Sequence, residues 1–130
     1  MKVKKWYFAA QFGRLAEVAA LATEARTTGL EVTSRWLEQD PLSRYAGGSD
    51  EAGSRFAVRD LDDIRDAQGF LFFAEDPTVL TPRGGRHVEF GYAIALGKCT
   101  DVVGPKENVF HLLHQVKHYS TFEEWLKEAR

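Results

Sequence analysis

The chain has 130 residues, 44% hydrophobic and 28% charged, which suits one domain with a sizeable core and is not the composition of a disordered segment. Its 17 basic and 19 acidic residues leave a net charge of -2, so there is no electrostatic case for a nucleic acid polymer or an anionic membrane as partner. The single Cys99 excludes an internal disulfide and offers no Cys/His metal spacing; the apolar runs are short, with Lys and Trp at the very start, so neither a signal peptide nor a spanning segment is read, and a cytosolic protein is expected.

Val3–Phe8, a short β-prone run with aromatics, predicts a first strand. Gly13 breaks it, and Leu15, Val18, Ala19 and Ala22 then recur with the period of an amphipathic helix over Leu15–Ala25, which Thr28-Gly29 stops. Leu30–Leu37 reads as a second strand through Val32, Thr33 and Trp36. Asp40–Ser54 is loop-like, with Pro41, Gly47-Gly48 and Gly53, and Glu51–Gln68 is charged and helical, with Phe56, Leu61 and Ile64 along it. After Gly69, Phe70–Ala74 is fully apolar, as a central parallel strand is.

Glu75–Gly85 is a second long loop, with Pro77 and Pro82 in it and two glycines at its end. An apolar helical run from Gly85 to Leu96 follows, then Gly97 and a strand at Thr100–Val103. Val109–Val116 reads as a short helix or turn, and Ser120-Thr121-Phe122-Glu123 has the spacing of a capping box before a final helix, Phe122–Ala129. The alternation of strands and helices predicts a single α/β domain over residues 1–130, a parallel sheet with helices on both faces. Loops after the strands gather at their carboxyl ends, so those after Phe8, Leu37 and Ala74 are expected to share one rim.

The run Gly84-Gly85-Arg86-His87-Val88-Glu89-Phe90-Gly91-Tyr92-Ala93-Ile94-Ala95-Leu96-Gly97-Lys98 carries the strongest chemical signal. After Glu89 the Tyr92 hydroxyl is the only polar side chain until Lys98, so the helix is expected to be buried on most of its circumference. A carboxylate there must be paired, hydrogen-bonded or protonated, since burying it alone costs several kcal/mol. Placement near a helix N-terminus also suits a carboxylate for dipole reasons alone; interruption of a buried run favours chemistry. Tyr7, near the end of the first strand, and Asp60, on the helix before the third, complete a set of two carboxylates and a phenol. That set suits glycosidic bond cleavage, one carboxylate attacking the anomeric carbon while another group helps the leaving base depart. On composition, Asp60 shares its helix with Asp62, Asp63 and Asp66 and falls on a solvated face, and Tyr7 fits core or rim packing.

Gly84-Gly85-Arg86 before a helix is a candidate anion seat, without the spacing of a P-loop or a dinucleotide fingerprint. His87 is either a general acid/base or a solvent-facing side chain. His111, His114 and His118 lack a carboxylate or cysteine at ligand spacing and read as a polar face, not a metal site.

Glu89-Phe90-Gly91-Tyr92-Ala93-Ile94-Ala95-Leu96-Gly97-Lys98 resembles the Glu-hydrophobic-Gly-Tyr-Ala segment of the nucleoside 2-deoxyribosyltransferase superfamily. Tyr7-Phe8-Ala9, the segment Asp60–Ala74, Ser34-Arg35-Trp36-Leu37 and Gly104-Pro105 through Val109-Phe110-His111 are similar to its small bacterial and phage branch. The resemblance implies a flavodoxin-like α/β fold and cleavage of the N-glycosidic bond of nucleosides or their 5′-monophosphates, with transfer of the sugar to another base or to water. It puts the family's nucleophile on Glu89, the tyrosine that orients it on Tyr7, and an aspartate acting near the base or ribose on Asp60. Substrate-binding positions are expected at Arg14, Arg83, Gly85, Arg86 and His87. Where transferases of the family carry an acidic residue, the loop offers Glu75 and Asp76; where the nucleotide-hydrolysing branch uses a serine for the 5′-phosphate, it has Arg83. No metal or organic cofactor is expected, and a homodimer or higher homo-oligomer is. Two other readings stay open: a catalytically silent nucleotide-binding or signalling module of the same fold, and an NAD glycohydrolase.

Overall fold

The computed structural model describes residues 2–39, 49–81 and 83–129. The expected loop around Pro41 and Gly47-Gly48, like Pro82, lies outside the described residues. Five strands, β1 (Lys5–Ala9), β2 (Glu31–Val32), β3 (Gly69–Phe73), β4 (Cys99–Val103) and β5 (Val116–Tyr119), form one parallel sheet in the order β2-β1-β3-β4-β5. Helices α1 (Leu15–Thr27), α2 (Asp50–Asp66), α3 (Gly85–Ala95) and α4 (Phe122–Ala129) complete the doubly wound, flavodoxin-like α/β architecture that the sequence predicts.

The two-residue period of the strands sorts their aromatic rings into two layers. Trp6 and Phe8 of β1 turn toward α4, with ring centroids 5.0 Å and 5.6 Å from Trp125; Phe73 of β3 joins them against Phe122 at 6.0 Å. Tyr7, between Trp6 and Phe8, faces the other way and stacks on Phe70 at 5.6 Å. Phe70 and Phe72 then meet Phe90 of α3 edge to face. Gly69 is required by this packing, because a Cβ there would sit 2.6 Å from the Trp6 ring.

Several expectations are corrected. The second strand ends at Val32, and Arg35–Glu38 forms a 3-10 turn in place of the strand expected through Leu37. Side chains take over where the β2 backbone leaves the sheet. Ser34 Oγ accepts from Phe8 N (2.7 Å) and Trp36 Nε1 donates to Phe8 O (2.8 Å). Within the expected Val109–Val116 turn, Val109–Leu112 is a 3-10 turn, but the chain then enters a fifth strand that the reading lacked. The final helix is capped one residue later than expected: Thr121 Oγ1 accepts from Glu124 N, and Glu124 Oε2 accepts from Ser120 N.

Burial also departs from expectation. Helix α3 buries one face, Arg86, Phe90 and Ala93, while Val88 is 70% exposed; as an outer-layer helix it covers Phe70 and Phe72 with that face alone. Asp60 is buried, not solvated, and so is Asp63. Asp63 accepts from Arg35 N (3.0 Å) and Arg35 Nε (2.8 Å), which ties the 3-10 turn to α2. His114 and His118 do face outward, but His111 is fully buried between Phe72 and Phe90.

The order β2-β1-β3 means that the chain leaves β1 in one direction and returns to build β3 on the other side. Their loops run to opposite faces, which opens a crevice at the carboxyl ends of these two strands.

Candidate active site

That crevice is a cleft of about 420 Å³, within the range of small-molecule sites. One wall comes from the segment after β1 (Ala10, Gln11, Phe12), from Trp36, and from Phe56 and Asp60 of α2. The other wall is the loop after β3 and the first turns of α3, through Arg83, Gly84, Gly85, Arg86, Val88 and Glu89. The segments after β1 and β3 therefore share one rim, while the loop expected there after Leu37 lies mostly outside the described residues.

Glu89, on the second wall, is partly buried. The Tyr7 hydroxyl donates to Glu89 Oε2 at 2.7 Å, and Tyr7 itself is fully buried by its stacking on Phe70. A rigid phenol so placed fixes the orientation of the carboxylate. Asp60 belongs to the facing wall, on the buried side of α2, one turn before Asp63. Two carboxylates thus border one cleft, and a hydroxyl donor holds one of them.

Arg83 and Gly84 both have left-handed backbone, at φ 74° and φ 69°. Gly84 caps α3 without a side-chain hydrogen bond, so the turn keeps the first-turn amides of α3 near the cleft. Gly85 and Arg83 line the same wall. Arg86 also borders the cleft, but its side chain is only 2% exposed and is engaged: Nη2 donates to Glu107 Oε1 at 2.6 Å and to Thr81 Oγ1 at 3.1 Å.

The other two expected substrate-binding residues lie outside the cleft lining. Arg14 donates to Glu17 Oε2 (2.7 Å) and Glu75 Oε2 (2.6 Å), and the bond to Glu17 is the main cause that raises its pKa. His87 packs on Phe72 at 5.4 Å, with Nδ1 3.3 Å from Asn108 Nδ2; burial and then the neighbouring Arg86 lower its pKa. Sequence reasoning did not single out Gln11, Phe12, Trp36 and Phe56 as cleft residues, nor Glu107 as the partner of Arg86. Phe12 and Phe56 carried a usable signal, aromatics directly after β1 and one helical turn before Asp60. Glu107 carried none. Among the described residues, no three His, Cys, Asp or Glu side chains cluster to hold a metal ion, and no helix is long and apolar enough to cross a membrane.

By sequence, no protein-family model and no curated protein matches the chain. Solved structures do match. A 2-deoxyribosyltransferase from Bacillus psychrosaccharolyticus superposes with a TM-score of 0.70 at 19% identity, over 94% of this chain and 90% of that one. The chain shares the fold of that protein. A CMP N-glycosidase from Clostridium botulinum, BcmB, shares this fold at a TM-score of 0.58 and 20% identity, over 96% and 97% of the two chains. A conserved protein from Enterococcus faecalis V583 does so at 0.66 and 15%, over 98% and 97%. The fold that the resemblance implies is thus matched along nearly the whole chain.

Proposed function

We propose that the chain cleaves the N-glycosidic bond of a nucleoside or its 5′-monophosphate, with Glu89 as nucleophile. The observation that carries this reading is the Glu89 carboxylate held by the Tyr7 hydroxyl at 2.7 Å beside a nucleoside-sized cleft. The fold shared with a 2-deoxyribosyltransferase and a CMP N-glycosidase supports it.

In this mechanism a Glu89 oxygen bonds to the anomeric carbon as the carbon–nitrogen bond breaks, and its electron pair leaves on the base. Asp60, on the facing wall, assists the departing base, which takes up a proton. Water or a second base then attacks the anomeric carbon and gives up a proton, which balances the one the first base takes up; the bond to Glu89 breaks, the carboxylate is restored, and the sugar leaves free or on the second base. Tyr7 keeps the attacking oxygen in line throughout, which is where positioning accelerates reaction. Arg83, Gly85 and the first turn of α3 offer the sugar or phosphate end its contacts.

The experiment is chromatographic detection of free base from ribo- and deoxynucleosides and their 5′-monophosphates, with and without a second base. Glu89→Gln keeps the size and the hydrogen-bond acceptor and is expected to lower turnover at least 1,000-fold with the fold intact, about 4 kcal/mol of lost transition-state stabilisation. Full activity in that variant would refute the mechanism. Nucleotide binding with no base release from any substrate would favour a silent binding module instead.

A further inference from the structure

Arg86 and Glu89 lie three residues apart on α3 and border the same cleft, a spacing that puts their Cβ atoms about 5–6 Å apart. A guanidinium so close to a carboxylate would ordinarily claim it. Here Arg86 is committed elsewhere. Glu107, on the loop after β4 and with a side chain 9% exposed, takes Arg86 Nη2 at 2.6 Å on Oε1. Its other oxygen accepts from Glu75 N at 2.9 Å, at the end of β3. His87 Nε2 lies 3.6 Å from Oε1. The Glu107 backbone is fixed in turn, since its N–H donates to Nδ1 of the buried His111 at 3.0 Å.

One carboxylate therefore joins the end of β3, the start of α3 and the loop after β4, and it pairs with the buried Arg86 one turn before Glu89. We propose that Glu107 is a positioning residue for Glu89: by holding Arg86 in an ion pair of its own, it keeps that cation from pairing with Glu89, so that the carboxylate stays in the orientation Tyr7 gives it and remains nucleophilic. This rests on Glu89 being the nucleophile. Among the described residues, the charged and titratable groups beside Glu89 include Tyr7 on β1, which donates to it, and Asp60 on α2, Arg83 on the preceding loop and Arg86 on α3 itself, which border the same cleft; around Arg86 stand Glu107, His87 and, one layer further, His111.

The test reads Glu89 directly. In protein carrying glutamate labelled with carbon-13 in the side chain, the Glu89 carboxyl resonance is the one absent from Glu89→Gln. In Glu107→Gln the uncompensated Arg86 draws on Glu89, so the titration midpoint of that resonance falls by about one pH unit. In the same variant kcat for base release falls about tenfold with KM little changed. Glu107→Gln combined with Arg86→Gln removes both charges and returns the midpoint to its original value, a rescue that a merely structural role would not produce. An unchanged midpoint in Glu107→Gln, or no return in the double variant, overturns the proposal. If Glu107→Gln does not fold, Arg86→Gln alone leaves Glu107 uncompensated and must raise the midpoint; no rise overturns the proposal equally. Lack of base release by the unaltered protein would refute the glycosidase reading, while the titration would still decide whether Glu107 shields Glu89.

Discussion

Asp101 occupies the middle of β4 beneath α4, only 4% exposed. Trp125 Nε1 donates to its Oδ2 at 2.9 Å, while Oδ1 has no hydrogen-bond partner among the described residues. Burial pushes its pKa up to about 6, against the lowering effect of the Trp125 bond. The unfolded chain gives up this proton near 3.8, so between those two values the folded protein holds the extra proton. Stability therefore falls as pH rises through that window, and the full cost is present above it. Asp101→Asn keeps an oxygen for Trp125 without the charge. It is expected to raise stability by about 1 kcal/mol at pH 7, with the gain fading toward pH 4; denaturant midpoints at the two pH values check this. At the level of single residues, the place of Glu89 at the cleft was legible because it is a carboxylate in an apolar run, although the run proved half-exposed. The burial of Asp60 was not. Four aspartates within the last two turns of one helix look solvated until the face is known, yet Phe56, Asp60, Asp63 and Ile64 follow helical spacing and all lie on the covered side. Arg86 looked like an anion donor because its partner, Glu107, is distant in sequence.

The elements with a strong local pattern were the readable ones: β1, α1, α2, β3, α3, β4 and α4 all stand close to where their periodicity or apolar content put them. Elements defined by partners were not. The Leu30–Leu37 run has β propensity, but Ser34 and Trp36 spend their polar atoms on Phe8, and the bidentate Asp63 pulls Arg35 into a turn. β5 has four residues and only Val116 buried, too little alternation to stand out. Helix α4 spans eight residues, too short to be stable alone, so its cap matters. Thr121→Ala is expected to cost about 1 kcal/mol, seen as a lower thermal midpoint. Gly69→Ala acts on the junction of β1 and β3 and is expected to cost more, about 2–3 kcal/mol, because the Trp6 ring that it meets is itself wedged against Trp125.

For the molecule as a whole, two buried titratable groups, Asp101 and His111, pull in opposite directions. Burial holds His111 neutral and lowers its pKa from 6.5 to about 4, while its Nδ1 accepts the Glu107 amide. The unfolded histidine takes a proton near 6.5, so stability is full above that value and is lost as pH falls toward 4, by as much as ~3 kcal/mol. His111→Asn is expected to be less stable at pH 7 but to show a flatter decline between pH 6.5 and 4, which chemical denaturation across that range measures. The same acid step loosens the Glu107 loop, so base release is expected to fall in the pH range where stability does.

The sheet order has one more effect. Its outer strands are meagre: β2 offers two residues and Arg26 Nη2 already caps Val32 O at 3.1 Å, while β5 offers four with Lys117 and His118 exposed. A stray strand finds little to zip onto at either margin. The stretch most prone to stack with copies of itself, Gly69-Phe70-Leu71-Phe72-Phe73, is clasped between β1 and β4 with every residue buried. Self-association of the folded protein through its sheet and clumping of the heated chain are therefore governed by different strands, and a change that leaves the margins intact but frees β3 affects only the second.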